Sequence, residues 1–180
     1  MKLLAGRSKN SALTELHQRY GKRVLGFFIK MTNGNIDQSQ DFVQDLFLKI
    51  IEKHEQFDPT KRFYTWMFTI ASNMVKTAYR SQRNIVQLET KHYPTEWGEN
   101  EMEKNQFQTL LSKAIDKLEN YHKQTFVLRY IEQLGVKEIA EITGASEGTV
   151  KSRIYYSTKK ITKSLSELNP ANDDKLFKLS

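Results

Sequence analysis

The chain has 180 residues, 38% of them hydrophobic and 11% aromatic, enough to bury a core and too much for a disordered polymer. It has no cysteine, which excludes disulfides, zinc fingers and thiol chemistry, and its histidines (His17, His54, His92, His122) share no metal-ligand spacing. A formal net charge of +7 points toward a polyanionic partner, and neither metal nor cofactor is expected.

With 8 Gly and 3 Pro, long segments run without punctuation, which favours helices over a sandwich or barrel. The start, Met1 to Leu13, contains Lys2, Arg7 and Lys9 and lacks the apolar run of a signal peptide. The longest apolar stretch, about Val24 to Ile29, is far short of a membrane span. A soluble, cytoplasmic protein without membrane insertion is expected.

In chain order, Leu13, Leu16, Tyr20, Val24, Phe27, Phe28 and Met31 recur at helical spacing and predict an amphipathic helix ending near Asn33-Gly34. A second helix is predicted from Ile36 to Phe57, its pairs Phe42-Val43, Leu46-Phe47 and Ile50-Ile51 forming one broad stripe. Asp58-Pro59 stops it, because proline removes a donor and restricts the preceding residue. A third runs from Tyr64 to Gln82, with Trp66, Met67, Ile70, Met74 and Ala78 facing inward. Residues 84–109 have weak periodicity, Pro94 and Gly98, and read as a linker. Helical spacing resumes at Phe107, Leu110, Leu111, Ala114, Ile115 and Leu118, then over Thr125 to Gln133, Val136 to Thr143 and Glu147 to about Leu165. The tail from Asn169 is expected to fray. The fold class is therefore all-α: two small helical domains joined by a flexible linker. The expected divisions are 1–83, 84–109, 110–168 and 169–180.

Charge is uneven along this frame. Asp37 to Asp58 holds six acids against Lys49 and Lys53, whereas Lys61 to Arg83 holds five bases (Lys61, Arg62, Lys76, Arg80, Arg83) and no acid. The stretch from Asn84 to Leu110 is acidic again, and Gly144 to Lys163 carries five bases against Glu147 alone. Two basic regions around an acidic connector suggest two polyanion contacts; each taken singly is equally compatible with a solvated helix face.

The clearest motif lies in the second domain. Ile139 and Ile142 are placed to face Val150 and Ile154, with the small Ala140 where two helices cross. Gly144 permits a left-handed turn after the first helix, and Ser146 with Glu147 suits the start of the second. Short helix, glycine turn and capped basic helix together predict a helix-turn-helix with its second helix in the DNA major groove. Thr149, Lys151, Ser152 and Tyr155 are placed on its exposed side with Glu147 and Tyr156, and Arg153 and Lys159 are within reach of phosphates or base edges. An ordinary helical hairpin with a basic face is the plain alternative.

Phe126-Val-Leu-Arg-Tyr130, Lys137-Glu-Ile-Ala-Glu-Ile142 and Ser146-Glu-Gly-Thr-Val-Lys-Ser-Arg-Ile154 resemble domain four of extracytoplasmic-function sigma factors. Asp41-Phe-Val-Gln-Asp-Leu-Phe-Leu-Lys49 and Phe63-Tyr-Thr-Trp-Met-Phe-Thr-Ile-Ala-Ser-Asn73 resemble domain two of the same family. The resemblance implies a factor that joins core RNA polymerase, directs it to promoter DNA and helps open the duplex. It places core polymerase binding on Asp41, Gln44, Asp45 and Leu48, off the apolar stripe and suited to a basic partner helix. In domain two it implies recognition of the minus-ten element, a non-template base being held in a pocket at Asn73 near the loop from Phe57 to Phe63. Independently, Asn73, Lys76, Arg80 and Arg83 fall on one helix face with chemistry for a nucleic-acid backbone. Tyr64 and Tyr79 are candidates to stack on bases, and Trp66 is either core anchor or DNA contact. The helix-turn-helix would then read the minus-thirty-five element.

Two departures from the family stand out. Leu118-Glu-Asn120 replaces the usual Leu-Pro, and Tyr155-Tyr-Ser-Thr158 stands where arginines are frequent, which suggests an altered promoter preference. Anti-sigma factors are common partners in the family, but no motif here specifies one. A free-standing helix-turn-helix regulator explains only the C-terminal half. A nucleic-acid enzyme would need clustered carboxylates or a nucleophile–base pair, and no such cluster stands in an apolar setting.

Overall fold

The computed structural model describes residues 9–82 and 102–168, with side chains from 11 to 81 and from 107 to 167. Arg83, most of the expected linker and the tail from Asn169 lie outside the described residues. Helix α1 spans Lys9–Met31 and ends as its sequence predicts. Asn33 (φ 54°) and Gly34 (φ 84°) both take the left-handed conformation, and the Gly34 N–H donates to the Ile29 carbonyl at 2.9 Å. Asn35 then caps α2 (Ile36–Glu52), its side-chain oxygen accepting the Gln38 N–H at 3.0 Å. Ser39 is fully buried at this corner but satisfied, donating to the Asn35 carbonyl at 2.6 Å and lying 2.8 Å from the Thr32 hydroxyl.

Helix α2 stops at Glu52 rather than Phe57, although the apolar spacing runs on. His54 Nδ1 lies 2.7 Å from the Ile51 carbonyl, and a short 3-10 turn over His54–Gln56 carries the chain away. Phe57 instead packs against Phe63 and Trp66, with ring centroids 5.8 and 5.2 Å apart, so its apolar surface serves the next helix. Asp58 folds the loop by accepting both the N–H and the hydroxyl of Thr60, at 2.9 and 2.7 Å. Helix α3 (Phe63–Gln82) closes the first domain. Its Met67 and Phe68 are fully buried with Phe27, Phe28, Leu46 and Ile50, each apolar side chain contributing roughly 1.5–3 kcal/mol by leaving water.

The second domain begins with α4 (Met102–Asp116), which starts inside the stretch whose sequence reads as linker. Helix α5 (Asn120–Phe126) likewise starts before Thr125, then widens into a π turn over Val127–Ile131. Gln133, at φ 58°, ends that turn, and the Arg129 guanidinium donates to the Leu134 carbonyl at 2.9 Å. Helix α6 (Val136–Thr143) and the long α7 (Glu147–Leu168) make the helix-turn-helix, with α7 leaning on α4 and α5. The two domains touch: α6 packs along α3, and α4 and α5 meet α1. No helix among the described residues is long and apolar enough to cross a membrane.

Candidate nucleic-acid and polymerase interfaces

Along α2 the inward stripe is Val43, Leu46, Phe47 and Ile50, all buried. The opposite side presents Asp41, Gln44, Asp45 and Leu48 to solvent, grouped on one face by the helical repeat. Leu48 is 57% exposed, a large apolar group left bare beside two carboxylates. Such a face offers a greasy contact and negative charge to a basic partner.

The corresponding side of α3 is arranged differently. Asn73 and Arg80 are exposed, but Lys76 is half-buried, its ammonium donating to the Thr143 carbonyl at the end of α6 at 2.6 Å. Burial holds the Lys76 ammonium below the usual lysine range, and the positive charges of Arg153 and Arg80 push it further down. Tyr64 packs on Phe68 with centroids 4.7 Å apart, and its hydroxyl donates to the carboxylate of Glu132. Burial, then that bond, raises the Tyr64 phenol well above its ordinary range. Tyr79 is also engaged, its hydroxyl donating to the Met31 carbonyl, and burial pushes the phenol up to about 12. Trp66 is half-buried between Phe57 and Phe63, with its ring in the aromatic cluster that starts α3.

Further groups of the second domain complete the seam. Glu132 is only 3% exposed in its side chain and lies 3.6 Å from Arg23, whose guanidinium also sits over the Tyr64 ring at 5.4 Å. Burial raises the Glu132 carboxyl above the usual glutamate range, against the opposing pull of Tyr64 and Arg23. Gln124, buried, donates to the Ser72 hydroxyl at 2.7 Å. Lys123 is buried between Asn33 and Asp116, 3.3 Å from the Asp116 carboxylate, and Lys30 reaches Ser112 at 3.3 Å. Desolvation lowers the Lys123 ammonium, with Asp116 working against it. At the rim, Arg62 pairs with Glu138 at 2.9 Å and Lys61 with Glu141 at 3.5 Å. Glu138 serves twice, since its other oxygen accepts the Gly135 N–H that opens α6, at 2.9 Å.

The helix-turn-helix is built as its residues require. Ile139, Ile142 and Val150 are buried, and Ile154 is partly so. Gly144 stands at φ 66°, and the Ser146 hydroxyl accepts the Thr149 N–H at 3.1 Å, capping α7. Thr149, Lys151, Ser152, Tyr155 and Lys159 are exposed, with Tyr155 at 61%. Arg153 turns back over the Tyr121 ring, 4.9 Å from its centroid. The start of α7 thus projects a helix N-terminus, hydroxyls and cations, the chemistry for phosphate and base edges. Among the described residues no cluster of His, Asp or Glu is set to hold a metal ion.

Residues 16–85 match Sigma-70 region 2, and residues 108–161 match Sigma-70, region 4. Among curated relatives, RNA polymerase sigma factor CarQ of Myxococcus xanthus is 29% identical over 87% of this chain and 91% of its own. The ECF RNA polymerase sigma-E factor of Haemophilus influenzae is 28% identical over 87% and 89%. The chain belongs to the extracytoplasmic-function family of sigma factors, and it directs transcription initiation. Solved sigma factors share its fold. RpoE of Bartonella quintana, in complex with the anti-sigma factor NepR, has a TM-score of 0.72 at 21% identity, over 85% of this chain and 96% of that one. CnrH in complex with the cytosolic domain of CnrY has a TM-score of 0.68 at 21% identity, over 92% and 94%.

Of the residues singled out in this sigma factor's sequence, the α2 group and most of the α7 group stand together on open faces. The α3 group is divided: Asn73 and Arg80 are open, Tyr64 and Lys76 are held by the second domain, and Arg83 is outside the described residues. Sequence reasoning missed Arg23, Lys123, Gln124 and Glu132. Charged and polar residues at helical spacing look solvated until the other domain is placed against them.

Proposed function

We propose that this sigma factor docks on core RNA polymerase through Asp41, Gln44, Asp45 and Leu48 of α2. It then reads the minus-ten element with Tyr64, Asn73, Lys76, Arg80 and Arg83, and the minus-thirty-five element with Thr149, Lys151, Ser152, Arg153, Tyr155 and Lys159. Residues 1–83 act as the first unit and 110–168 as the second, with 84–109 as connector and 169–180 as tail. It works in the cytoplasm, without a cofactor and without catalysing a bond change itself; its residues position polymerase and DNA. An anti-sigma factor is a further partner, of the kind bound by the structural neighbour RpoE.

The supporting observation is the bared α2 face, where Leu48 and two carboxylates stand free on the side opposite the core stripe. Replacing an exposed carboxylate barely touches folding but reverses the charge offered to a basic partner. Asp45→Lys is therefore expected to lower affinity for core polymerase at least tenfold in a competition assay against a labelled sigma factor, with thermal melting unchanged. Undiminished competition would remove α2 from the interface.

A further inference from the structure

We propose that the start of α5 is a positioning bracket for the cations on one flank of α7: Tyr121 aims Arg153 at promoter phosphate, and Glu119 withholds Lys160 from it. This deepens the reading of α7 given above and rests on it. It also gives a role to Leu118-Glu-Asn120, a departure from the family's Leu-Pro that the DNA and polymerase faces leave unexplained.

The helical repeat divides the outer side of α7 into two flanks. Thr149, Arg153, Tyr156 and Lys160 recur at i, i+4, i+7 and i+11 on one, and Lys151, Tyr155 and Lys159 at i, i+4 and i+8 on the other. Helix α5 packs along α7, and its first residues meet the first flank. The Arg153 guanidinium stands 4.9 Å from the centroid of the Tyr121 ring, and the Lys160 ammonium lies 3.1 Å from the Glu119 carboxylate. Lys151 and Lys159 have no carboxylate partner among the described residues.

The two contacts treat their cations differently. A ring face attracts a guanidinium without neutralising it, and leaves its N–H edge free to grip a phosphate. Tyr121, itself 52% exposed, therefore spares Arg153 part of the side-chain freedom it would lose on binding. A carboxylate instead cancels the charge it meets, so a phosphate approaching Lys160 meets Glu119 as well. Glu119 is free for this task because its side chain does not cap α5. The bond from Lys160 first, and then its charge, hold the Glu119 carboxyl below the usual glutamate range, which keeps the anion present at neutral pH. The Glu119 φ of −62° is one that proline also takes, so glutamate in place of proline changes the side chain and not the path of the backbone.

The test uses holoenzyme, core polymerase with the full chain, on a fluorescent duplex carrying one start site that it uses in transcription. Affinity is followed across a range of KCl concentrations. Arg153→Ala should weaken binding about tenfold and lower the slope of log affinity against log salt by about one, the share of a single phosphate. Tyr121→Ala should weaken binding about threefold with the slope unchanged, because the phosphate contact survives and only its preparation is lost. Tyr121→Phe, which keeps the ring face, should retain the natural affinity, and Tyr121→Ala should add nothing once Arg153 is alanine. Glu119→Gln should act in the opposite sense, tightening binding about two- to threefold and steepening the slope by up to about one. The same gain should appear on an unrelated duplex, since phosphates carry no sequence. Glu119→Pro should reproduce it, and adding Lys160→Ala should abolish it. Undiminished binding by Arg153→Ala would overturn the assignment of Arg153 to DNA, and the bracket with it. A loss with Arg153→Ala but none with Tyr121→Ala, or an equal Tyr121→Ala loss in both backgrounds, would leave that assignment standing and overturn the aiming by Tyr121. A slope unmoved by Glu119→Gln would overturn the withholding of Lys160.

Discussion

The two outer faces of the first domain make an instructive pair. Both α2 and α3 bury one side in the same core of Phe27, Phe28 and Phe68, and both present chemistry fit for a macromolecular partner on the other. On α2 that chemistry is open to solvent; on α3 it is partly taken by Thr143 and Glu132 of the second domain. The difference shows that a face's composition states what it can bind, whereas its availability is set by the rest of the chain. Acids beside a bare leucine found no match in the second domain; a lysine and a tyrosine did.

The strongest way to sharpen this contrast uses one residue type on the two sides of one helix. Leu46→Ala removes a fully buried side chain and should cost roughly 2–5 kcal/mol in urea unfolding, through lost transfer energy and a residual cavity. Leu48→Ala, at an exposed position, should change stability by less than about 0.5 kcal/mol. Its effect should instead be read in affinity for core polymerase, which is expected to fall several-fold. If the two variants lost similar stability, the inward and outward sides of α2 would be misassigned.

A smaller effect tests how α3 is tied to α1. Tyr79 ionises near pH 10 in an unfolded chain but only at about 12 in the fold, where burial first and Asp116 second hold it neutral. A raised folded value means that its contribution is complete below pH 10 and is lost as pH climbs through 12. The stability advantage of the natural chain over Tyr79→Phe, about 1 kcal/mol from the bond to Met31, should therefore shrink between pH 10 and 12. An advantage that stayed constant across that window would place the phenol in water.

Much of this was legible in the sequence because the signals were local. The stripe of Val43, Leu46, Phe47 and Ile50 follows from helical spacing, and the chain reversals follow from Asn33-Gly34, Gly144 and Ser146, whose backbone or side chain suits those positions. The misses were places where a distant partner decides. Helix α2 ends early because Phe57 packs on Phe63 and Trp66, while the spacing alone would continue it. Helix α4 starts at Met102, in a stretch too poor in apolar repeats to announce it. Glu132, Gln124 and Lys123 are buried and bond to Tyr64, Ser72 and Asn33 of the other domain, and no short-range pattern encodes that. For the same reason Tyr64 and Tyr79, candidates from the sequence to stack on bases, are tied to Glu132 and Met31.

Transcription from genomic fragments by core polymerase, with and without the full chain, tests the central claim most directly. Initiation is expected at a discrete set of start sites when the chain is present, lost with Asp45→Lys and redistributed when Lys151 and Ser152 are replaced together. Binding of those same fragments by the chain alone, with no change in where polymerase starts, would contradict it.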